Sequence, residues 1–359
     1  MPQIAKLSGN RGHVSHGGRR VTVTCQASQS TTGAIGKRKL GKSDVVVSEI
    51  GVGAWSWGDR SNYWQGWTKD GSREAYSEAM NAGCTFIDTA EVYGFGLSEE
   101  FIGEFMKTCS TPSKPSIGTK YAPLPWRQTA GAVVQACDAS LKRLGVEQVD
   151  LYIQHWPGFF LNAFSNKATL EGLLQCQQQG KTRAVGVSNF NQQRVRDAAT
   201  FFEANGTCLS SNQVQYSLLY REPERNGVLE ACREKGVTLV AYSPLCQGLL
   251  STKYSAGNIP KGPRSMYFTD SRFSQVSVLL DLLRQISKDS YNGEKSPSQI
   301  AINWLLCKDV LPIPGAKSGE QVKELVGACG WRLTDGEVEE LDRISQNIPS
   351  STGAPFEKW

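Results

Sequence analysis

Eight short runs of β-forming residues, separated by helical patterns at intervals of about 25 to 35 residues, constrain this chain more than any other feature. They are EIGVGAW (49–55), CTFID (84–88), PSIGTK (115–120), VDLYIQH (149–155), TRAVGV (182–187), SNQVQYS (211–217), VTLVAYS (237–243) and VLPIPG (310–315). None shows the strict polar alternation of a half-exposed sheet, so each reads as a strand covered on both faces. The segments between them carry helix punctuation. Ser72 is the expected N-cap of SREAYSEAMNAG, and Gly145 ends QTAGAVVQACDASLKRLG. Ser296 with Pro297 opens SPSQIAINWLLC, and Thr334 to Glu337 has the form of a capping box. Regular strand and helix alternation predicts a parallel sheet. At 359 residues the chain could also divide into two smaller domains, but eight successive units make an α/β fold of the (β/α)8 TIM-barrel type the economical solution.

Around that frame, GKRKLGKSDVVVSEI is expected to form an N-terminal β-hairpin turning at Gly41 to Asp44 and closing the barrel floor. Long irregular stretches follow strands four and seven, near 156–168 and 246–276; loops of that length usually cover or bind something. The expected organisation is a leader over 1–36, a barrel over 37–346 and a tail over 347–359. Residues 1–43 contain no Asp or Glu, and the leader is rich in Ser, Thr, Gly and Arg without a long apolar core. That composition fits a disordered organelle transit peptide, plastid in preference to mitochondrial, with cleavage near Cys25 to Ala27. Four of the 39 basic residues precede Cys25, so the remainder nearly balances its 34 acidic residues and gives no support for a nucleic-acid partner. No apolar run reaches the roughly 20 residues of a membrane span. The ten cysteines include no C-x-x-C pair and lie mostly in apolar segments, so neither a metal site nor a disulfide framework is expected. A monomer or weak oligomer is the expected state.

In such a barrel the C-terminal strand ends open on one face, where side chains from different strands converge. Asp88 closes the second strand and Tyr93 follows within one loop, while Lys120 and His155 close the third and fourth. Hydride transfer to a carbonyl carbon leaves charge on its oxygen, which must be stabilised and protonated. A phenol can act as that acid if a neighbouring ammonium lowers its pKa, which Lys120 could do for Tyr93. Asp88 would keep Lys120 protonated and oriented, and His155 would donate a hydrogen bond to the carbonyl oxygen. Trp55, Trp57, Tyr121 and Trp156 are placed by their loops to line a substrate pocket in preference to the core.

FIDTAEVYG, GTK, LYIQHWPG, AVGVSNF, QVQYSLL, AYSPL and PIPGAK, in this order over about residues 38–345, resemble the aldo-keto reductase superfamily. That resemblance implies the tetrad Asp88, Tyr93, Lys120 and His155 acting with NADPH, bound without the glycine-rich Rossmann fingerprint, and indeed no G-x-G-x-x-G opens a helix after a strand here. It further implies that Gly53 and Trp55 border the cofactor, that Ser188, Asn189 and Gln213 hold the nicotinamide carboxamide, and that Tyr242 stacks on its ring. Ser243, Pro244, Leu245, Gly248 and Leu249 would follow the pyrophosphate. Lys317 and Ser318, with Gln321, would meet the 2′-phosphate at a helix start. Gln321 stands where many members place Arg, and Leu325 where an Asn frequently follows the Glu. Within the superfamily LPWRQTAGAVVQACDASLKRL, KGPRSMYF and AINWLLCK are similar to the plastid pyridoxal reductases of plants, which implies a small-molecule carbonyl substrate such as pyridoxal and a plastid location.

Two other readings use the same residues. Lys120 could form a Schiff base, as in a barrel aldolase, although that needs a neutral amine and Asp88 favours the charged one. A non-catalytic nucleotide-binding regulatory subunit, as in the potassium-channel β subunits of this superfamily, is the other.

Overall fold

The computed structural model describes residues 34–158 and 166–350. Strands β1 (Lys37–Lys39) and β2 (Val46–Ser48) form an antiparallel hairpin, with Arg38 opposite Val47. Its turn is tied to the start of a barrel strand, since Gly41 N donates to Thr238 Oγ1 at 2.7 Å. Gly41 lies at φ +55°, and a Cβ there would approach Ser210 O to 2.7 Å, so both conformation and space require glycine. Leu40, Val45 and Val47 point from this hairpin into the barrel interior, where they meet Phe86, Leu151, Ile153, Val240 and Leu311. The hairpin is the barrel's floor, as its position in the sequence predicts.

Eight parallel strands follow in sequential order: β3 (Gly51–Gly53), β4 (Phe86–Asp88), β5 (Ser116–Tyr121), β6 (Val149–Gln154), β7 (Thr182–Ser188), β8 (Leu209–Gln215), β9 (Thr238–Tyr242) and β10 (Leu311–Pro312). The ring closes through a single parallel bridge between Gly53 and Gly315, with Gly53 N donating to Pro314 O at 2.9 Å. A second apolar layer between strands and helices buries Ile87, Ile117, Tyr152 and Val185 from the sheet, with Ala79, Ile102, Leu141 and Leu173 facing them. This is the double covering implied by the unbroken apolar runs.

Helix ends obey local chemistry. Gly145 ends α3 (Ala130–Leu144) in the left-handed conformation. The capping boxes at Ser296 with Gln299 and at Thr334 with Glu337 open α9 (Pro297–Cys307) and α11 (Asp335–Ser345). The exception is α1 (Lys69–Asn81), which begins a turn earlier than expected: Thr68, not Ser72, accepts from Gly71 N. Ser72 is buried inside the helix and donates to Thr68 O. The stretch after β9 forms tight 3-10 turns at Cys246–Ser251 and Pro263–Tyr267 before α8 (Asp270–Tyr291), so it is shorter than expected. Of the stretch after β6, residues 159–165 lie outside the described residues, and α4 (Asn166–Gln178) follows them. The expected leader lies almost wholly outside the described residues, as does most of the expected tail. Among the described residues no helix is long and apolar enough to cross a membrane.

Candidate active site

The C-terminal strand ends open into a cavity of about 900 Å³, within the range of small-molecule sites. At its base Lys120, wholly buried, donates to Asp88 Oδ2 at 2.6 Å, to Thr89 O at 2.7 Å and to Tyr93 Oη at 3.3 Å. All three ammonium protons therefore have acceptors, which fixes the group's direction as well as its position. The His155 ring meets the Tyr93 ring edge-on at 5.7 Å. Asp88, Tyr93 and His155 all line the cavity and Lys120 lies directly behind them, so the four residues drawn from β4, β5, β6 and one loop do share one place.

The electrostatics differ from expectation at one point. Burial, followed by the Asp88 carboxylate, pushes the Tyr93 phenol well above 10.0, so the net effect of its surroundings is upward and not the lowering expected from Lys120 alone. Asp88 offsets the ammonium beside it. The phenol is thereby kept protonated at neutral pH, the state a proton donor needs. Burial likewise draws Lys120 below 10.5, against the opposing pull of Asp88 and Glu99. Burial and then the Lys120 charge hold His155 well below 6.5, so its imidazole is neutral. The buried His155 Nδ1 has no hydrogen-bond partner among the described residues.

A polar ledge adjoins this group. Gln213 Nε2 donates to Asp88 Oδ1 at 2.7 Å, tying the ledge to the tetrad. Ser188 Oγ donates to Gln213 O at 2.8 Å, Asn189 Nδ2 to His155 O at 3.2 Å, and Tyr242 Oη to Asn189 Oδ1 at 2.9 Å. Non-glycine residues with positive φ gather at the ends of β7 and β9, namely Asn189, Ser243, Cys246, Gln247 and Thr252. Such conformations persist where the surroundings impose them, and they cluster at ligand sites.

Farther along, Lys253, Arg264 and Lys317 line the cavity, and no ion pair among the described residues engages any of them. Burial, then Arg264, then Lys253 lower the Lys317 pKa, the mark of cations gathered without an anion. Arg264 is only 6% exposed. A nucleotide's phosphates would give these three cations the ion pairs they do not make, and the amide-bearing ledge suits a carboxamide, so the residues present fit a nicotinamide dinucleotide. Gly53, Trp55, Ser243, Pro244, Leu245, Gly248 and Gln321 line the same cavity.

Besides Lys120, which lies behind the wall, four expected members do not. Trp57 is fully buried in the outer core, its Nε1 donating to Ala316 O at 2.7 Å and its ring against Phe105. Tyr121 is also fully buried, its hydroxyl spent on Arg127 O at 3.1 Å. Leu249 is turned into the core, and Ser318 uses its hydroxyl to cap α10 (Gly319–Val326). Of the expected pocket aromatics, Trp55 and Trp156 remain on the wall. Sequence reasoning missed Trp64, Lys253 and Arg264. The signal was partial, since the long stretch following β9 carries Lys253, Lys261 and Arg264, and nothing in the sequence says which of these cations turn into the cavity.

Comparison with known proteins follows the same lines. The profile of the Aldo/keto reductase family matches residues 49–346. The chain is 35% identical over 323 residues to the chloroplastic pyridoxal reductase of Arabidopsis thaliana, covering 88% of this chain and 87% of that protein. It is 29% identical to the NADH-specific methylglyoxal reductase of Escherichia coli, over 87% of this chain and 99% of that one. A crystal structure of an aldo/keto reductase from Klebsiella pneumoniae in complex with NADP and acetate superposes with a TM-score of 0.64 at 25% identity, covering 86% of this chain and 94% of that chain. The chain belongs to the aldo/keto reductase family, as an oxidoreductase that reduces carbonyl compounds.

Proposed function

We propose that the chain reduces an aldehyde or ketone to the alcohol with NADPH, with Tyr93 as the general acid. The observation that carries this reading is the Lys120 ammonium bonded at once to Asp88 and Tyr93, with the buried phenol facing the cavity. When bound, the nicotinamide supplies the hydride. The carbonyl oxygen, seated between Tyr93 Oη and the neutral His155 ring, takes its proton from Tyr93 as negative charge develops. Lys120 then stabilises the phenolate, and Asp88 keeps the ammonium aimed at it. This favours the transition state over the bound carbonyl, since both donors meet more charge as the reaction proceeds. Asp88 and Gln213 hold the reacting group and the carboxamide ledge in one hydrogen-bonded unit.

The aldolase reading loses ground because all three Lys120 protons are engaged, leaving no free amine pair for a carbonyl carbon. A purely regulatory role gains no specific support, because Asp88, Lys120 and Tyr93 are joined by hydrogen bonds with the His155 ring against the phenol, an arrangement that nucleotide binding alone does not need. NADPH in preference to NADH follows from the uncompensated Lys253, Arg264 and Lys317, which favour the additional phosphate. Pyridoxal is the proposed substrate, in line with the similarity to the Arabidopsis reductase, and Trp55 and Trp156 offer aromatic walls for such a ring. The acid-free leader, together with the chloroplastic location of the same relative, supports import into the plastid, with the mature chain acting as a monomer or weak oligomer. The test is NADPH oxidation by the protein lacking residues 1–33, measured against a panel of aldehydes that includes pyridoxal. No turnover of any member would overturn the enzymatic reading; turnover of others but not pyridoxal would overturn only the substrate.

A further inference from the structure

In the ring of eight strands the end of β5 stands opposite that of β9, so the loop after β5 walls the tetrad end of the cavity, away from Lys253 and Arg264. That loop reads YAPLPWRQT (121–129), a leucine between two prolines. Leu124 N donates to Ala122 O at 2.8 Å and Arg127 N to Leu124 O at 2.8 Å, which folds it into two tight turns. Leu124 thereby lines the cavity, while Trp126 turns outward and is 75% exposed. The prolines donate no backbone hydrogen bond, so side chains must supply much of what holds the loop in place.

Glu91 supplies the central support. It belongs to the neighbouring loop, three residues after Asp88 and two before Tyr93. A single carboxylate oxygen, Glu91 Oε1, accepts from Ala122 N at 2.6 Å and from Arg127 Nη1 at 2.5 Å. Arg127 Nη1 donates also to Ala122 O at 3.3 Å, and the guanidinium lies 5.6 Å from the centre of the Tyr121 ring. Tyr121 Oη completes the arrangement by donating to Arg127 O at 3.1 Å. Burial, against the opposing effect of Arg127, pushes that phenol up to about 12, so it keeps the proton it donates. The Glu91 side chain is only 8% exposed, which makes the pair less screened than a surface ion pair. Because Val92 and Tyr93 directly follow Glu91, this one carboxylate fixes Leu124 relative to both the cavity wall and the phenol.

We propose that Glu91 and Arg127 are positioning residues for the substrate: together they seat Leu124 against the ring of an aromatic aldehyde whose carbonyl lies at Tyr93, and so favour ring-bearing aldehydes over small ones. The inference rests on the carbonyl-reducing role of Tyr93 given above. A carbonyl oxygen held at Tyr93 fixes one end of the substrate. A ring extends from there to the wall formed by Val92 and Leu124, whereas an aldehyde of two or three carbons has little surface to press on it. A wall already held in place spends none of the substrate's binding energy on ordering the loop.

The test is steady-state reduction of benzaldehyde and of methylglyoxal by the full chain at saturating NADPH. Arg127→Met keeps the stem over Tyr121 but loses the ion pair. It should lower kcat/KM for benzaldehyde about 10-fold, the scale of one lost hydrophobic contact, mainly through KM. With methylglyoxal it should stay within about 3-fold of wild type, since that substrate barely uses the contact. Glu91→Gln should match Arg127→Met, and Arg127→Lys, which keeps the charge, should recover most of the loss. Leu124→Ala should cost benzaldehyde about 10-fold, and the double variant Arg127→Met/Leu124→Ala should be no worse than Leu124→Ala alone, because the pair acts through that side chain. Trp126→Ala should behave as wild type. Equal losses with both aldehydes, additive losses in the double variant, or a Trp126→Ala that reproduces Arg127→Met would each overturn the proposal, as would a wild type that reduces methylglyoxal but not benzaldehyde. A wild type that reduces neither aldehyde would overturn the reductase reading and this inference with it. Thermal melts identify any variant that loses its fold, and if Arg127→Met does so, Arg127→Lys, Glu91→Gln and Leu124→Ala still decide.

Discussion

At the residue scale the decisive group is the Tyr93 phenol. Replacing it by Phe removes the proposed proton donor while leaving the ring, and should lower aldehyde turnover by about 10²–10⁴-fold with little change in NADPH affinity. Turnover and binding measured on the same preparations decide the matter, and near wild-type turnover would remove Tyr93 from the mechanism. The pH profile follows from two signs. Tyr93 is shifted upward from 10.0, so the acid form is lost only as pH rises beyond that value; His155 is shifted downward from 6.5, so it charges only as pH falls well below that value. Lys120 is drawn down from 10.5 by burial, so a basic limb below pH 10.0 would belong to loss of its ammonium. The turnover number for reduction should therefore show no acidic limb near pH 6.5, and one there would contradict the neutral imidazole assigned to His155. Asp88, Tyr93, Lys120 and His155 were legible because each closes or follows a readable strand. The direction of the phenol's shift was not. It depends on how deeply the ring is buried and on Asp88 balancing Lys120, quantities set by tertiary structure. Trp57 and Tyr121 show the same limit, since their neighbours in sequence say nothing of whether the ring turns into the cavity or behind the strand.

At the scale of the element, helix α1 shows how a tertiary contact hides a local signal. Thr68 is a good N-cap and Asp70 a favourable first-turn acid, yet Gly71 is a poor helix former and the sequence places the cap at Ser72. The glycine is required because a Cβ there would lie 2.5 Å from Lys317 O, at the junction leading into α10. Helix propensity alone says that Gly71→Ala should stabilise by about 1 kcal/mol. The contact says the reverse. The methyl group must push Lys317 away, and forcing a group into a filled space costs about 1–3 kcal/mol. Gly71→Ala should therefore lower the melting temperature and weaken NADPH binding, the latter because Lys317 moves with its carbonyl. A stabilised protein in thermal denaturation would show that the junction yields. By contrast, Ser296, Thr334 and Gly145 were readable in advance because capping is a contract between residues three or four apart, with no distant partner involved.

At the scale of the whole molecule the barrel's seam and the proposed nucleotide site coincide. The eight parallel strands were foreseeable from spacing alone, but not that β3 and β10 would close through one bridge, Gly53 to Gly315, on the cavity wall. A nucleotide held by Gln213 and Tyr242 on one side and by Lys317 just beyond Gly315 on the other spans this seam, so binding should stabilise the closed ring as a unit. Ligand linkage gives about 2.7 kcal/mol of added stability at a hundredfold excess over the dissociation constant. Lys317 is drawn below its usual pKa by burial and by the nearby Arg264 and Lys253, so a 2′-phosphate would relieve a real repulsion there. A charge-assisted hydrogen bond to that phosphate is expected to contribute about 1.5–3 kcal/mol. At equal nucleotide concentration NADPH should therefore raise the melting temperature of the wild-type chain more than NADH does. Lys317→Ala should remove most of that difference by weakening NADPH while leaving the NADH shift nearly unchanged. Equal loss of both shifts would mean that Lys317 acts through its bond to Gln65 O, holding the β3–α1 loop, and not through the phosphate that separates the two nucleotides.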